Sequence, residues 1–346
     1  MTGPAEVNWD ITYACPLRCA HCYSESGRRP SRQLGADDML RVAGAIADLR
    51  PRWVALSGGE PLSVRGILPV ARRIAAAGIP VSLYTSGWTL RPDKVDDLLD
   101  TFARINVSVD AANPLAHDRI RGRAGSFDRA MHTLALLDDA VGRRVAAGLP
   151  PVEFGIDCTV VRSSLPDLDD LCTTVAPRFP RLSFVWIAAA MPIGLASRAG
   201  FADHELLTDE QADDLAGAAN RERMLALAPA GVALSIVDSR TLTLDPELRG
   251  QAPYMQVEPD GAVRAFPIYE GTVGSLLDEP GNVLWERGLA RWRDPFVERT
   301  LGAVRGMRDW ADATRLIDRH FGSDDVRDRL DRRPDLPAPL VTAERR

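Results

Sequence analysis

Thr12-Tyr-Ala-Cys-Pro-Leu-Arg-Cys-Ala-His-Cys-Tyr23 decides the reading of this chain, because Cys15, Cys19 and Cys22 form a C-x3-C-x2-C run directly after a strand-like segment at 6–13. Three closely spaced thiolates can hold three irons of a cubic [4Fe–4S] cluster and leave the fourth without a protein ligand. An open iron is a place for a substrate or cofactor, so the spacing points to chemistry. Pro16 and the short spacers keep the loop compact. The competing reading is a structural zinc site completed by His21. Such sites pair two ligand modules across a longer spacer, and no second cysteine pair exists here.

Outward from this run, β-rich stretches alternate with helical ones. Candidate strands at 53–57, 80–84, 105–109, 152–161 and 182–187 follow the first, separated by amphipathic segments near 36–49, 65–77, 92–101, 125–146 and 166–176. Repeated βα units predict an α/β fold with a parallel sheet and helices outside. Ligands in such folds gather at the C-terminal strand ends. The cysteine run follows the first strand, Ser57-Gly-Gly-Glu-Pro61 ends the second, Thr85-Ser-Gly87 the third and Val109-Asp110 the fourth, so the polar positions fall on one rim.

After Met191-Pro-Ile-Gly194 the pattern changes to a helical stretch near 208–228, a strand at 232–237 and a hairpin over 254–266 turning at Pro259-Asp-Gly261. Helices follow near 283–292 and 308–320. The expected organisation is a domain over 1–200, a smaller one over 201–330, and a charged, proline-rich flexible tail at 331–346.

With 346 residues, 45% of them hydrophobic, the chain can bury a substantial core. A net charge of −6 implies no basic face for nucleic acid. No apolar run approaches the roughly 20 residues of a membrane span, and no signal peptide precedes the first strand. Three of five cysteines are clustered, which argues against a disulfide framework and for a reducing, cytoplasmic setting. Cys158 and Cys172 read as small buried apolar side chains.

The segment Gly58-Gly-Glu-Pro61 adds glycines that let backbone carbonyls approach a ligand, and a carboxylate that can accept from an ammonium group. Cysteine run, glycine segment and strand placement together resemble the radical S-adenosylmethionine (SAM) superfamily over roughly the first two hundred residues. The resemblance implies a partial (β/α)6 TIM-like barrel with Cys15, Cys19 and Cys22 as cluster ligands and SAM on the open iron. It implies that Gly58, Gly59, Glu60 and Pro61 edge the methionine moiety, and that His21 lies against the adenine with Tyr23 beside it. Ser108 and Asp110 would face SAM or substrate, and Thr159 and Ser163 the ribose. The stretch from His117 to Phe127 resembles the segment after the fourth strand in peptide- and metabolite-modifying members.

The sequence Gln256-Val-Glu-Pro-Asp-Gly-Ala-Val-Arg-Ala-Phe266 resembles a degenerate SPASM or twitch domain, a small α+β unit. Phe266 and Pro267 stand where a ligand would be, and no cysteine follows Cys172, so no auxiliary cluster is expected. The implied reaction is reductive SAM cleavage, with an electron from flavodoxin or ferredoxin. The resulting 5′-deoxyadenosyl radical abstracts a hydrogen atom in natural-product biosynthesis, the substrate being a ribosomal peptide presented with a separate recognition protein. A mutase, epimerase or dehydratase acting on a sugar or amino acid is the alternative enzyme, and a non-catalytic zinc-binding protein the alternative of another class.

Overall fold

The computed structural model describes residues 3–245, 247–248, 251, 254–265 and 269–341. Seven strands run parallel in chain order: β1 (Glu6–Thr12), β2 (Trp53–Gly58), β3 (Val81–Thr85), β4 (Arg104–Ser108), β5 (Glu153–Val160), β6 (Phe184–Ala189) and β7 (Ala233–Val237). Parallel neighbours need crossover connections. The first four carry α1 (Ala36–Asp48), α2 (Ile67–Ala75), α3 (Val95–Leu99), and then α4 (Pro114–Arg121) with α5 (Ser126–Ala146).

Strand alternation sorts the two faces. In β5, Phe154, Ile156, Cys158 and Val160 join the apolar core, which puts Gly155, Asp157 and Thr159 on the opposite face. The helices answer with apolar stripes. Met39, Val42, Ala43, Ile46 and Ala47 of α1 recur at helical spacing and are all buried. Burying each larger side chain of this kind is worth about 1.5–3 kcal/mol. Cys158 and Cys172 are core residues, as their apolar surroundings in the sequence predict.

The boundary expected at residue 200 does not interrupt the sheet. β7 extends it beyond β6. On the other side β8 (Tyr254–Val257) pairs in parallel with β1, and β9 (Ala262–Arg264) and β10 (Thr272–Ser275) continue antiparallel. Among the described residues the order is β10-β9-β8-β1-β2-β3-β4-β5-β6-β7. The hairpin turns at Pro259-Asp260-Gly261 as its sequence predicts, with Gly261 at φ +82°; Phe266 and Pro267 lie outside the described residues. The C-terminal extension gives strands to the common sheet and adds helices Gly281–Trp292, Pro295–Gly302, Met307–Phe321 and Asp324–Asp331. The physical reason is the edge of β1, whose unpaired backbone groups β8 satisfies.

Two helical expectations change. The 166–176 stretch breaks into short 3₁₀, α and π turns ending at Arg178, because Pro166 and Pro177 cannot sustain one hydrogen-bond ladder. The 208–228 stretch becomes Asp209–Ala216 and Ala218–Leu227, parted by the extended Gly217.

The stretch expected to be a flexible tail packs through Val341 instead. Arg333 donates to the carboxylate of Glu25 at 2.7 and 3.0 Å, and Arg329 reaches the same oxygen. Arg198 clasps the carbonyls of Ala20, at 2.8 Å, and of Pro334. Glu25 is buried and left-handed at φ +53°, so its charge requires these partners. Arg333→Met, which keeps the stem and removes the charge, is expected to cost about 3 kcal/mol, since Glu25 then keeps Arg329 alone. Chemical denaturation reads the change directly. An unmoved midpoint would mean that Glu25 is satisfied without the strap.

Candidate active site

The rim is built on a seam between the ends of β1 and β2. Gly59 N–H donates to Thr12 O at 2.7 Å and Glu60 N–H to Ala14 O at 2.9 Å. A Cβ on Gly59 would stand 2.1 Å from Ala14 O. Gly58, at φ +112°, would place one 2.5 Å from Thr12 O. The glycines are therefore demanded by the close passage of two chain segments. The cysteine loop then docks on the last turn of α4, through Arg18 N–H to Arg121 O (3.1 Å) and Ala20 N–H to Ile120 O (2.8 Å). A third contact, Leu195 N–H to Cys22 O at 3.0 Å, ties it to the segment after β6.

Cys15, Cys19 and Cys22 share one solvent-open cavity of about 740 Å3 with His21, Tyr23, Gly58, Gly59, Ser108 and Thr159. The structure thus brings together nine of the residues singled out in the sequence. Ser86, from the rim stretch Thr85-Ser-Gly87, and Arg121, from the His117–Phe127 stretch, also line the cavity, together with Tyr84 and Asp157, which sequence reasoning passed over. One signal was present for Asp157, a charged residue alternating with apolar neighbours in a strand.

Four predicted residues lie elsewhere. Glu60 is fully buried behind the wall with Pro61. Its carboxylate accepts from Leu62 N–H (3.2 Å), Thr85 Oγ1 (2.7 Å), Ser86 N–H (2.9 Å) and Ser86 Oγ. These four donors fasten the β3 end to the β2 end through one carboxylate. Burial raises the Glu60 carboxyl, and the hydrogen bonds from Ser86 and Thr85 oppose it.

Asp110 is likewise walled in. Arg121 meets both of its oxygens, at 2.7 and 2.6 Å, His21 Nε2 lies 2.8 Å from Oδ2, and Thr159 N–H donates to Oδ1 at 3.1 Å. Burial alone would raise this carboxyl, but the Arg121 and His21 charges hold it well below its ordinary value. The Asp110 N–H donates to His117 Nδ1 at 3.2 Å. Burial, then the Arg121 charge, depresses His117 to about 4.

Ser163 lies away from the cavity. Its hydroxyl donates to Glu205 Oε1 at 2.7 Å and its N–H to Oε2 at 3.1 Å, because the chain turns away from the lumen once β5 ends. Tyr23 keeps its ring at the cavity while its hydroxyl donates to Asp10 Oδ1 at 2.5 Å and meets Ser57 Oγ at 2.9 Å.

The donor set fits a multi-metal group. Burial pushes the Cys15 thiol up to about 12 and the Cys19 thiol to about 11, so bound cationic metal is what would keep them as thiolates. Among the described residues no three His, Cys, Asp or Glu side chains converge on a point suited to a single ion. A cluster asks for less, one thiolate per iron. His21, the fourth ligand of the zinc alternative, is engaged with Asp110.

Comparison with known proteins follows the same line. Residues 9–151 match the radical SAM superfamily. The AdoMet-dependent heme synthase of Methanosarcina barkeri is 34% identical over 168 residues, 48% of this chain and 45% of that protein. The mycofactocin maturase MftC of Mycolicibacterium smegmatis is 27% identical over 177 residues, 51% of this chain and 43% of that one. The chain thus matches less than half the length of these curated relatives. Streptococcus suis SuiB bound to S-adenosylmethionine superposes with a TM-score of 0.65 over 87% of this chain and 68% of that one, at 14% identity, a likeness of fold. Among the described residues no helix is long and apolar enough to cross a membrane.

Two outcomes are expected. Glu60→Gln turns an amide N–H2 toward groups that donate, and should cost about 2 kcal/mol in urea unfolding; no loss would mean the donors find other acceptors. His117 titrates near 4 when folded against an ordinary 6.5, so the unfolded chain binds more protons between those values. Its contribution is complete above pH 6.5 and disappears as pH falls toward 4. His117→Gln should flatten the stability–pH slope in that window by about one proton, and an unchanged slope would contradict the burial argument.

Proposed function

We propose, from the match of residues 9–151 to the radical SAM superfamily, a hydrogen-abstracting enzyme that matures a peptide or a small natural product. Cys15, Cys19 and Cys22 would hold a [4Fe–4S] cluster. Gly58 and Gly59, with His21, Tyr23, Ser108 and Thr159, would hold SAM beside it. When bound, these two groups supply a 5′-deoxyadenosyl radical able to take a hydrogen atom from an unactivated carbon. The observation that carries the reading is one cavity lined by all three thiols, on a loop that backbone hydrogen bonds hold from three directions.

The chain's own residues do the positioning. Glu60 and Pro61 fix the strand ends under the glycines, and Asp110 orients His21 by its 2.8 Å contact. A site fixed in advance in this way lets binding energy go into alignment of the reacting carbon. Leu17, buried at the cavity wall, helps keep water from the thiols.

A ribosomal peptide presented with a separate recognition protein is the substrate implied by the sequence resemblance, and similarity to a maturase is in keeping with it. Similarity to an AdoMet-dependent heme synthase supports a second reading, a non-peptide metabolite, where mutase, epimerase or dehydratase chemistry would apply. No cysteine follows Cys172 to hold another cluster, so outcomes that leave the substrate's oxidation level unchanged are favoured. The electron would come from a flavodoxin or ferredoxin.

Anaerobic reconstitution tests the reading. The wild type is expected to take up about four irons and to form 5′-deoxyadenosine from SAM under dithionite, whereas Cys19→Ser loses both. A fully loaded Cys19→Ser, or a wild type that never cleaves SAM, would overturn it.

A further inference from the structure

The geometry points to a substrate subsite in the barrel lumen that takes a cationic group, an amine or guanidinium, between the Asp157 carboxylate and the Trp186 indole. The inference rests on the proposal above that substrate enters the cysteine-lined cavity, and it adds the chemistry of what is recognised there.

Four residues form one level across four strands. Ser108 pairs with Asp157, Asp157 with Trp186, and Trp186 with Ser235. Register partners in a parallel ladder face the same side. Val185 and Ile187, flanking Trp186, are wholly buried in the helix-facing core, so Trp186 faces the lumen, where it is 38% exposed. Ser108 and Asp157 line the cavity that holds the cysteines. The level therefore runs from the cavity to the exposed Ser235 on β7, the last strand of the sheet.

Beneath this level the lumen is shut. Arg104 lies over the Phe184 ring at 3.5 Å, and Gly155 makes room for that ring, since a Cβ there would come within 2.6 Å of it. A ligand entering from β7 thus rests above the Arg104–Phe184 stack, with Asp157 and Trp186 as its walls.

Asp157 is the group left waiting. Among the described residues its carboxylate has neither a hydrogen-bond donor nor an ion-pair partner, unlike Glu60, Asp110, Glu258 and Glu270. The charged groups that face it are Asp110, which raises its pKa, and Arg121 and Arg104, which lower it; burial, the largest influence, leaves it near 6. Arg121 is engaged with Asp110, and Arg104 is stacked on Phe184. The Tyr84 ring beside it is neutral, its hydroxyl raised first by burial and then by the Asp157 charge.

A carboxylate in such a place gains most from a ligand that brings both charge and N–H donors. An indole face adds attraction for a cation and covers its alkyl stem. A neutral isostere would desolvate Asp157 without compensation, which makes the pair selective.

The test uses two probes on the anaerobically reconstituted, SAM-loaded protein, Nα-acetyl-lysine methylamide and its uncharged counterpart Nα-acetyl-norleucine methylamide. Saturation-transfer NMR reads their binding. The lysine probe should bind at least about tenfold more tightly. Asp157→Asn should abolish that preference while SAM affinity stays at the wild-type level. Trp186→Leu, at a part-exposed position, should weaken the lysine probe alone. Equal binding of the two probes to the wild type would overturn the inference. Loss of SAM affinity in Asp157→Asn would do the same, since it would assign the residue to the cofactor. If the protein took up neither iron nor SAM, the parent proposal would fail by itself, and the probe preference of the iron-free chain would still decide the subsite.

Discussion

The carboxylate of Glu60 accepts from Thr85 and from both the backbone and hydroxyl of Ser86, while its own N–H is given to Ala14 O. One residue therefore joins the ends of β1, β2 and β3, and the cysteine loop starts from that joint. A buried carboxylate with fewer donors would carry an uncompensated charge, so the three strand ends hold their relative positions or the site loses several kcal/mol. Glycine at 58 and 59 is the steric condition for the joint, because the 12–14 backbone passes where side chains would stand. The cavity's shape is thus held from behind by a carboxylate that does not line it.

The same logic recurs one strand over. Asp110 gathers Arg121, His21 and the Thr159 N–H, and its own N–H is received by His117. This centre ties α4 to β4 and to the cysteine loop, and sets a guanidinium near Cys19, where it favours the thiolate. Against these satisfied carboxylates, Asp157 is the exception. Full compensation builds scaffold, and incomplete compensation leaves a demand that a ligand can meet.

What the sequence made legible was local. The cysteine spacing, Gly58-Gly59 and the strand-end placement needed only neighbours to be read, and all came to one cavity. Glu60 and Asp110 were legible as residues, but the groups that hold them were not, because Ser86, His21 and Thr159 reach them from other strands and loops. Tyr84 and Asp157 were missed as single polar positions inside strands that the parallel-sheet pattern treats as uniformly apolar. Helix α4 was missed for its high polarity, although Asn113-Pro114 spells a capped start: the Asn113 side chain accepts from Leu115 and Ala116 N–H. That the C-terminal extension shares the main sheet was not legible, because composition cannot show that β8 pairs with the edge of β1.

The contact between Glu25 and Arg333 spans 308 positions of sequence, and it has a consequence for biogenesis. At ribosomal rates of about 5–20 residues per second, the cysteine loop precedes its strap by roughly 15–60 s. Throughout that interval the buried charge of Glu25 lacks its guanidinium partners. The segment around Glu25 therefore reaches its final packing only after residues 329–333 have been made.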